Sequence, residues 1–184
     1  MFQKLLKKIA RELKETSIPY MVIGGQAILL YGEPRLTRDI DITLGINVDQ
    51  LDKVLAIAST LKLNVLVENE REFVQRTMVL PVMEEESGIR VDFIFSFSPY
   101  EKLAIERARE VRLGRTPVRF GSLEDVVIHK VIAGRPRDIE DVRSILLKNT
   151  NYDSGHIEKW LKEFDASLGE NFLALFRNIL KEIE

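Results

Sequence analysis

Asp39 and Asp41 stand one residue apart in Asp39-Ile40-Asp41-Ile42, and a third carboxylate, Asp92, lies inside the apolar run Ile89-Arg90-Val91-Asp92-Phe93-Ile94-Phe95. Alternation along a strand puts the first two aspartates on one face and the isoleucines on the other. Carboxylates side by side raise one another's pKa, so such a pair calls for a cation between them or for exposure at a strand end. A lone carboxylate in an interior strand is costly unless it is paired or metal-bound. Three strand carboxylates converging on one edge suit divalent-metal phosphoryl chemistry. Mg²⁺ takes carboxylate and phosphate oxygens and keeps water in its remaining positions. Two such ions activate an attacking hydroxyl and stabilise a leaving pyrophosphate. Two Mg²⁺ ions held by Asp39, Asp41 and Asp92 are therefore expected, with Mn²⁺ as an alternative. The competing reading makes Asp39 and Asp41 solvated edge residues and pairs Asp92 with Arg90 or another arginine.

Gly24-Gly25 shifts the balance. A strand that ends in two glycines and runs into a helix lets backbone approach a phosphate, with helix N–H groups facing it. No Gly-Lys-Ser/Thr follows, so this is not a P-loop, and the dinucleotide-binding G-x-G-x-x-G spacing is missing. Taken alone the pair is a tight turn; its position ahead of the paired aspartates is what gives it weight.

The elements that must position these residues follow from periodicity. Phe2, Leu5, Leu6, Ile9 and Leu13 form one helical stripe over residues 2–16, ended by Ser17-Ile18-Pro19. Strands are expected over 20–23, 39–44, 63–67, 77–82 and 89–95. Helical turns are expected over 26–31, a turn at 32–35, and helices over 48–61, capped by Asn47, and 99–108. Glu84-Glu85-Glu86-Ser87-Gly88 reads as a polar turn. An Arg-rich strand pair runs up to Phe120. From Ser122 the period is helical: a capping-box-like start at Ser122-Leu123-Glu124-Asp125, a helix over 138–148 and a final helical stretch between His156 and Ile183. The layout is α+β (α/β-like), a mixed sheet flanked by helices, followed by a C-terminal helical region. The division expected is residues 1–121 as a catalytic core and residues 122–184 as a helical region completing the nucleotide and acceptor site.

Composition bounds the rest. The 184 residues are 45% hydrophobic and 30% charged with a net charge of −2, enough for a core and too neutral for a global field that gathers polyanions. The absence of cysteine removes disulfides, thiolate metal sites and a cysteine nucleophile. The amphipathic start and the lack of a long apolar run point to a cytoplasmic protein without membrane insertion. His129 and His156 are the only histidines, too few and too separated for a metal cluster or a catalytic triad. Arg107, Arg109, Arg112, Arg115 and Arg119 could hold a polyanionic acceptor, although charges guarding an edge hairpin explain them more simply. Trp160, Phe164, Phe172, Phe176 and Leu180 recur at near-helical spacing, as core or as contacts with a second copy or partner protein.

Ile23-Gly24-Gly25, a spacer, Asp39-Ile40-Asp41-Ile42 and later Val91-Asp92-Phe93 together resemble the signature of the nucleotidyltransferase superfamily with the DNA polymerase β-like fold. Gln26 stands where a Ser-type residue is commoner, a departure that bears on phosphate contacts. Thr37-Arg38-Asp39-Ile40-Asp41 further resembles the Thr-x-Asp-hydrophobic-Asp form of AbiEii-type and related minimal nucleotidyltransferases. Residues 123–141, with Lys130, Arg135 and Asp138, look like that group's Lys-containing helix followed by Arg and Lys/Arg-Asp-x-x-Asp. The resemblance spans roughly residues 20 to 145. It implies nucleotide contacts from Gly24, Gly25, Thr37 and Arg38. It also implies Lys130 on the NTP phosphates, with Asp138 orienting that site. Chemically, Lys130 can neutralise a triphosphate and Arg135 can grip a phosphate through two hydrogen bonds, whereas the plain alternative is a helix-loop-helix with surface ion pairs.

The implied activity is Mg²⁺-dependent transfer of NMP from an NTP, ATP included, to a hydroxyl acceptor with release of pyrophosphate. The acceptor could be a tRNA, a protein or a small molecule. A toxin–antitoxin nucleotidyltransferase, an antibiotic nucleotidyltransferase and a non-catalytic nucleotide- or partner-binding domain are the rival readings.

Overall fold

The amphipathic stripe at the start of the chain folds as α1 (Phe2–Glu15) in a computed structural model that describes residues 1–96 and 98–183. Leu5, Leu6, Ile9, Ala10 and Leu13 are its buried face, and Lys8 Nζ meets Glu84 Oε1 at 3.0 Å. The chain then forms β1 (Tyr20–Ile23), α2 (Gly24–Tyr31) and β2 (Asp39–Leu44). A 3-10 turn at Val48–Gln50, whose first N–H is capped by the Asn47 side chain, leads into α3 (Leu51–Thr60). Next come β3 (Leu63–Val65), α4 (Glu70–Thr77), β4 (Val79–Glu84), β5 (Ile89–Phe95), α5 (Pro99–Arg107), β6 (Arg109–Leu113) and β7 (Thr116–Phe120). The helices α6 (Leu123–Ala133), α7 (Pro136–Lys148), α8 (Ser154–Leu168) and α9 (Phe172–Ile183) end the described chain.

The chain divides into two compact units, residues 1–26 with 36–121, and residues 27–35 with 122–184. The first is built on a mixed seven-stranded sheet in the order β3-β4-β5-β2-β1-β7-β6. β2 and β5 are parallel neighbours at its centre, and β1 flanks β2 antiparallel. Period-two burial is strict where it matters: Ile40, Ile42, Val91 and Phe93 have no exposed surface. β6 is the edge strand of the Arg-rich hairpin. The second unit packs α6 to α9 around Val127, Ile128, Val142, Ile145, Ile157, Leu161 and Phe176.

Four expectations are corrected. Residues 70–77 form α4, and Thr77, expected to open a strand, closes this helix instead; Met78 follows in the left-handed region (φ 61°) and β4 starts at Val79. Glu84 is the last residue of β4, held by Lys8, so the polar turn begins one residue later. α7 starts at Pro136, whose fixed φ suits a first helical turn. The final helical stretch is two helices, because Gly169 (φ 70°) closes α8 and the Asp165 carboxylate accepts from the N–H groups of Phe172 and Leu173 at the start of α9. Among the described residues no helix is long and apolar enough to cross a membrane.

Candidate functional site

The parallel register of β2 and β5 sets Asp39 beside Arg90 and Asp41 beside Asp92. Paired residues share a sheet face, so Asp39, Asp41, Arg90 and Asp92 stand together on the face opposite the buried Ile40, Ile42, Val91 and Phe93. One face is therefore core and the other carries three carboxylates and one guanidinium. Asp92 is neither free nor deeply buried: its side chain is 17% exposed, and Arg90 Nε donates to its Oδ1 at 2.8 Å. The Arg90 guanidinium is held protonated above its ordinary range, first by this hydrogen bond, with burial opposing, and then by the fields of Asp92, Asp39 and Asp41.

β1 delivers the glycines to the same place. Ile23 pairs with Asp41, and α2 starts at once at Gly24, which has a φ of 63°. A Cβ on Gly24 would lie 1.9 Å from Asp41 Oδ2, so the missing side chain is what lets that carboxylate sit against the backbone. The first-turn N–H groups of a helix have no partners within it, and this helix start lies against the Asp41 carboxylate. Gln26, two residues on, is buried and its Nε2 donates to the Thr37 hydroxyl at 2.7 Å. That bond ties the first turn of α2 to the residue two places before Asp39. Thr37 is buried and Arg38 exposed.

In the second unit, Lys130 on α6 is nearly enclosed. Its Nζ lies 2.6 Å from Asp138 Oδ1 and 3.0 Å from Asp141 Oδ2. Arg135 Nε meets Asp138 Oδ2 at 2.6 Å while its side chain stays 75% exposed. Arg35 grips Asp141 through two hydrogen bonds, Nε to Oδ1 at 2.8 Å and Nη2 to Oδ2 at 2.9 Å. Burial pushes the Asp138 carboxyl up, and the hydrogen bonds from Arg135 and Lys130 overcome this and hold it below its ordinary value. Lys130, Arg135 and Asp138 are thus brought together, and Arg35 and Asp141 join them. The sequence offers Asp141 as the last residue of the Arg137-Asp138-x-x-Asp141 pattern without a role, and Arg35 only as part of a turn, because a partner 106 residues away leaves no local signal.

Among the described residues no three His, Cys, Asp or Glu side chains are gathered closely enough to hold a metal ion. Asp41 sits against Gly24 and Asp92 against Arg90. The donor chemistry nevertheless fits Mg²⁺: three carboxylates on one sheet face, with a glycine cradle beside them. His156 Nε2 lies 3.7 Å from the buried Asp125, and the His156 and Trp160 rings meet edge-on at 6.5 Å, within the helical packing of the second unit.

A family model described as "Nucleotidyl transferase of unknown function (DUF2204)" matches residues 2–171. No curated protein sequence matches the chain. Among solved structures, ANT(2″)-Ia in complex with adenylyl-2″-tobramycin is 22% identical with a TM-score of 0.59, over 96% of this chain and 97% of that one. The lincosamide antibiotic adenylyltransferase LnuA, lincomycin-bound, is 18% identical with a TM-score of 0.54, over 77% of this chain and 94% of that one. An antigenic nucleotidyltransferase-like protein from Paracoccidioides brasiliensis is 15% identical with a TM-score of 0.54, over 90% of this chain and 87% of that one. At these identities the likeness is one of fold.

Proposed function

The chain belongs to that nucleotidyl transferase family (DUF2204), and we propose that it transfers NMP from an NTP to a hydroxyl acceptor and releases pyrophosphate. The observation that carries this reading is the shared face of Asp39, Asp41 and Asp92, set by the β2–β5 register beside Gly24. Asp39, Asp41 and Asp92 are assigned as the holders of two Mg²⁺ ions, with Mn²⁺ as a substitute; when bound, the metal neutralises the phosphates and acidifies the acceptor hydroxyl. Asp92 takes the proton of the acceptor hydroxyl. The acceptor oxygen bonds to the α-phosphorus as the bond to the pyrophosphate oxygen breaks. Gly24 and Gly25 present backbone N–H groups to the phosphates. Thr37, fixed by Gln26, and Arg38 flank them as nucleotide contacts.

Lys130, Arg135 and Asp138 are assigned to nucleotide binding through residues 122–184. Arg135 is the exposed cation of the three, and Asp138 orients both Lys130 and Arg135. ATP is the first nucleotide to test and a small polyhydroxylated compound the first acceptor, because one of the fold's neighbours is a lincosamide antibiotic adenylyltransferase and another is in complex with adenylyl-2″-tobramycin.

The test incubates the protein with each α-labelled NTP, Mg²⁺ and, in separate reactions, hydroxylated antibiotics, total tRNA and lysate protein. Label in one of these acceptors with release of pyrophosphate is expected. Asp41→Asn and Asp92→Asn should each lower kcat/KM at least about 100-fold while the melting transition is retained. Unchanged transfer by Asp92→Asn would sink the assignment.

A further inference from the structure

Arg90 is the one cation that the β2–β5 register sets among the three carboxylates, and it sits two residues before Asp92 on the same strand face. Its Nε holds Asp92 Oδ1 at 2.8 Å, and its side chain is 51% exposed against 17% for Asp92. The cation thus reaches solvent more freely than the carboxylate it holds. Neither residue is buried on the apolar side of the sheet, where Val91 and Phe93 have no exposed surface, so the pair contributes nothing to the core. Clustered carboxylates repel unless positive charge lies among them.

We propose that Arg90 is a positioning residue that competes with the divalent cation for Asp92. This rests on the reading of Asp92 as a metal ligand. With no metal bound, the guanidinium lowers the repulsion among Asp39, Asp41 and Asp92 and keeps Asp92 oriented. A metal ion that takes Asp92 either shares it through Oδ2 or displaces the guanidinium from Oδ1, and in both cases binds beside its positive charge. Arg90 therefore sets the metal concentration at which the site loads. It has no part in bond making or breaking.

Binding of Mn²⁺ to the full chain without nucleotide, followed by the loss of the free-ion paramagnetic resonance signal, tests this directly. Arg90→Gln is expected to bind Mn²⁺ about 5- to 10-fold more tightly than the wild type, since one repelling charge near a divalent ion is removed. Arg90→Lys, which keeps the charge, should stay within about twofold of the wild type. The exposed position keeps both variants folded, which their melting curves check. Equal affinity of wild type and Arg90→Gln, with Asp92→Asn weaker than both, overturns the competition while leaving the metal ligands in place. Arg90→Lys binding as tightly as Arg90→Gln overturns it too, because charge would then not be the cause. No Mn²⁺ binding by wild type or Arg90→Gln overturns both the competition and the metal reading of the carboxylates.

Discussion

At Gly24 a single hydrogen atom stands where any other residue would put carbon. The position has a φ of 63°, and a Cβ there would come within 1.9 Å of Asp41 Oδ2. Gly24→Ala should therefore cost about 1–2 kcal/mol from the left-handed backbone alone, and should also push the Asp41 carboxylate out of place. The expected outcome is a lower melting temperature together with at least about tenfold weaker Mn²⁺ binding; a variant that keeps wild-type Mn²⁺ affinity would show that Asp41 does not need this contact. The three aspartates were legible in the sequence because period-two alternation is a local property. So was the pairing of Asp92 with Arg90, as the competing reading of the same residues. The Gln26–Thr37 hydrogen bond was not, because nothing in the intervening residues signals which side chain folds back on which. Gln26 looked only like a departure from a motif, yet it anchors Thr37 ahead of the Asp39 strand.

At the scale of elements, α6 and α7 are joined by charge as well as by apolar packing. Lys130 on α6 is held by two α7 carboxylates, and Asp138 is 2% exposed. Removing one partner leaves a buried cation short of an anion, which typically costs about 3–5 kcal/mol; the second carboxylate, Asp141, limits the loss here. Asp138→Asn should lower stability at neutral pH by about 1–3 kcal/mol in denaturant melts. The pH dependence follows from the lowered folded pKa of Asp138. Its stabilisation is complete above the ordinary carboxylate value of 3.8 and fades as the pH falls through the lower folded value. Wild type should thus lose more stability than Asp138→Asn between about pH 5 and about pH 2, and parallel losses in the two proteins would refute this role. Long elements with a regular stripe, such as α1, β2 and β5, could be read directly from the chain. The eight-residue α4 could not: only Val74 is buried, and Asn69 precedes it in a left-handed conformation without a side-chain cap. The break at Gly169 had a local signal, a glycine after a helical run, that the surrounding periodicity masked.

Over the whole molecule, the charge of −2 leaves little long-range field, and the exposed Arg109, Arg112 and Arg115 of the edge hairpin are a local concentration of positive charge. Transfer to a small uncharged acceptor should accordingly change by less than about threefold between about 50 and about 200 mM salt, whereas a polynucleotide acceptor would lose affinity by orders of magnitude. Measuring the rate across that range with whichever acceptor takes the label separates the two. The α+β class and the run of helices after Ser122 followed from the change of hydrophobic period. That residues 27–35 group with 122–184 did not, because this depends on contacts made more than a hundred residues apart. The grouping is held by Asn149 Nδ2 to the Tyr31 carbonyl at 2.7 Å, the Glu33 N–H to Ser144 Oγ at 2.5 Å, Lys148 to Glu33 at 2.8 Å and Arg35 to Asp141. Modularity is the casualty. A fragment stopped at Gly121 would keep these nine residues but shed Asp141, Ser144, Lys148 and Asn149, and a fragment started at Ser122 would leave Asp141 without Arg35. No single cut of the chain keeps residues 27–35 with both their chain neighbours and 122–184, so either half expressed alone should melt at a lower temperature than the full chain.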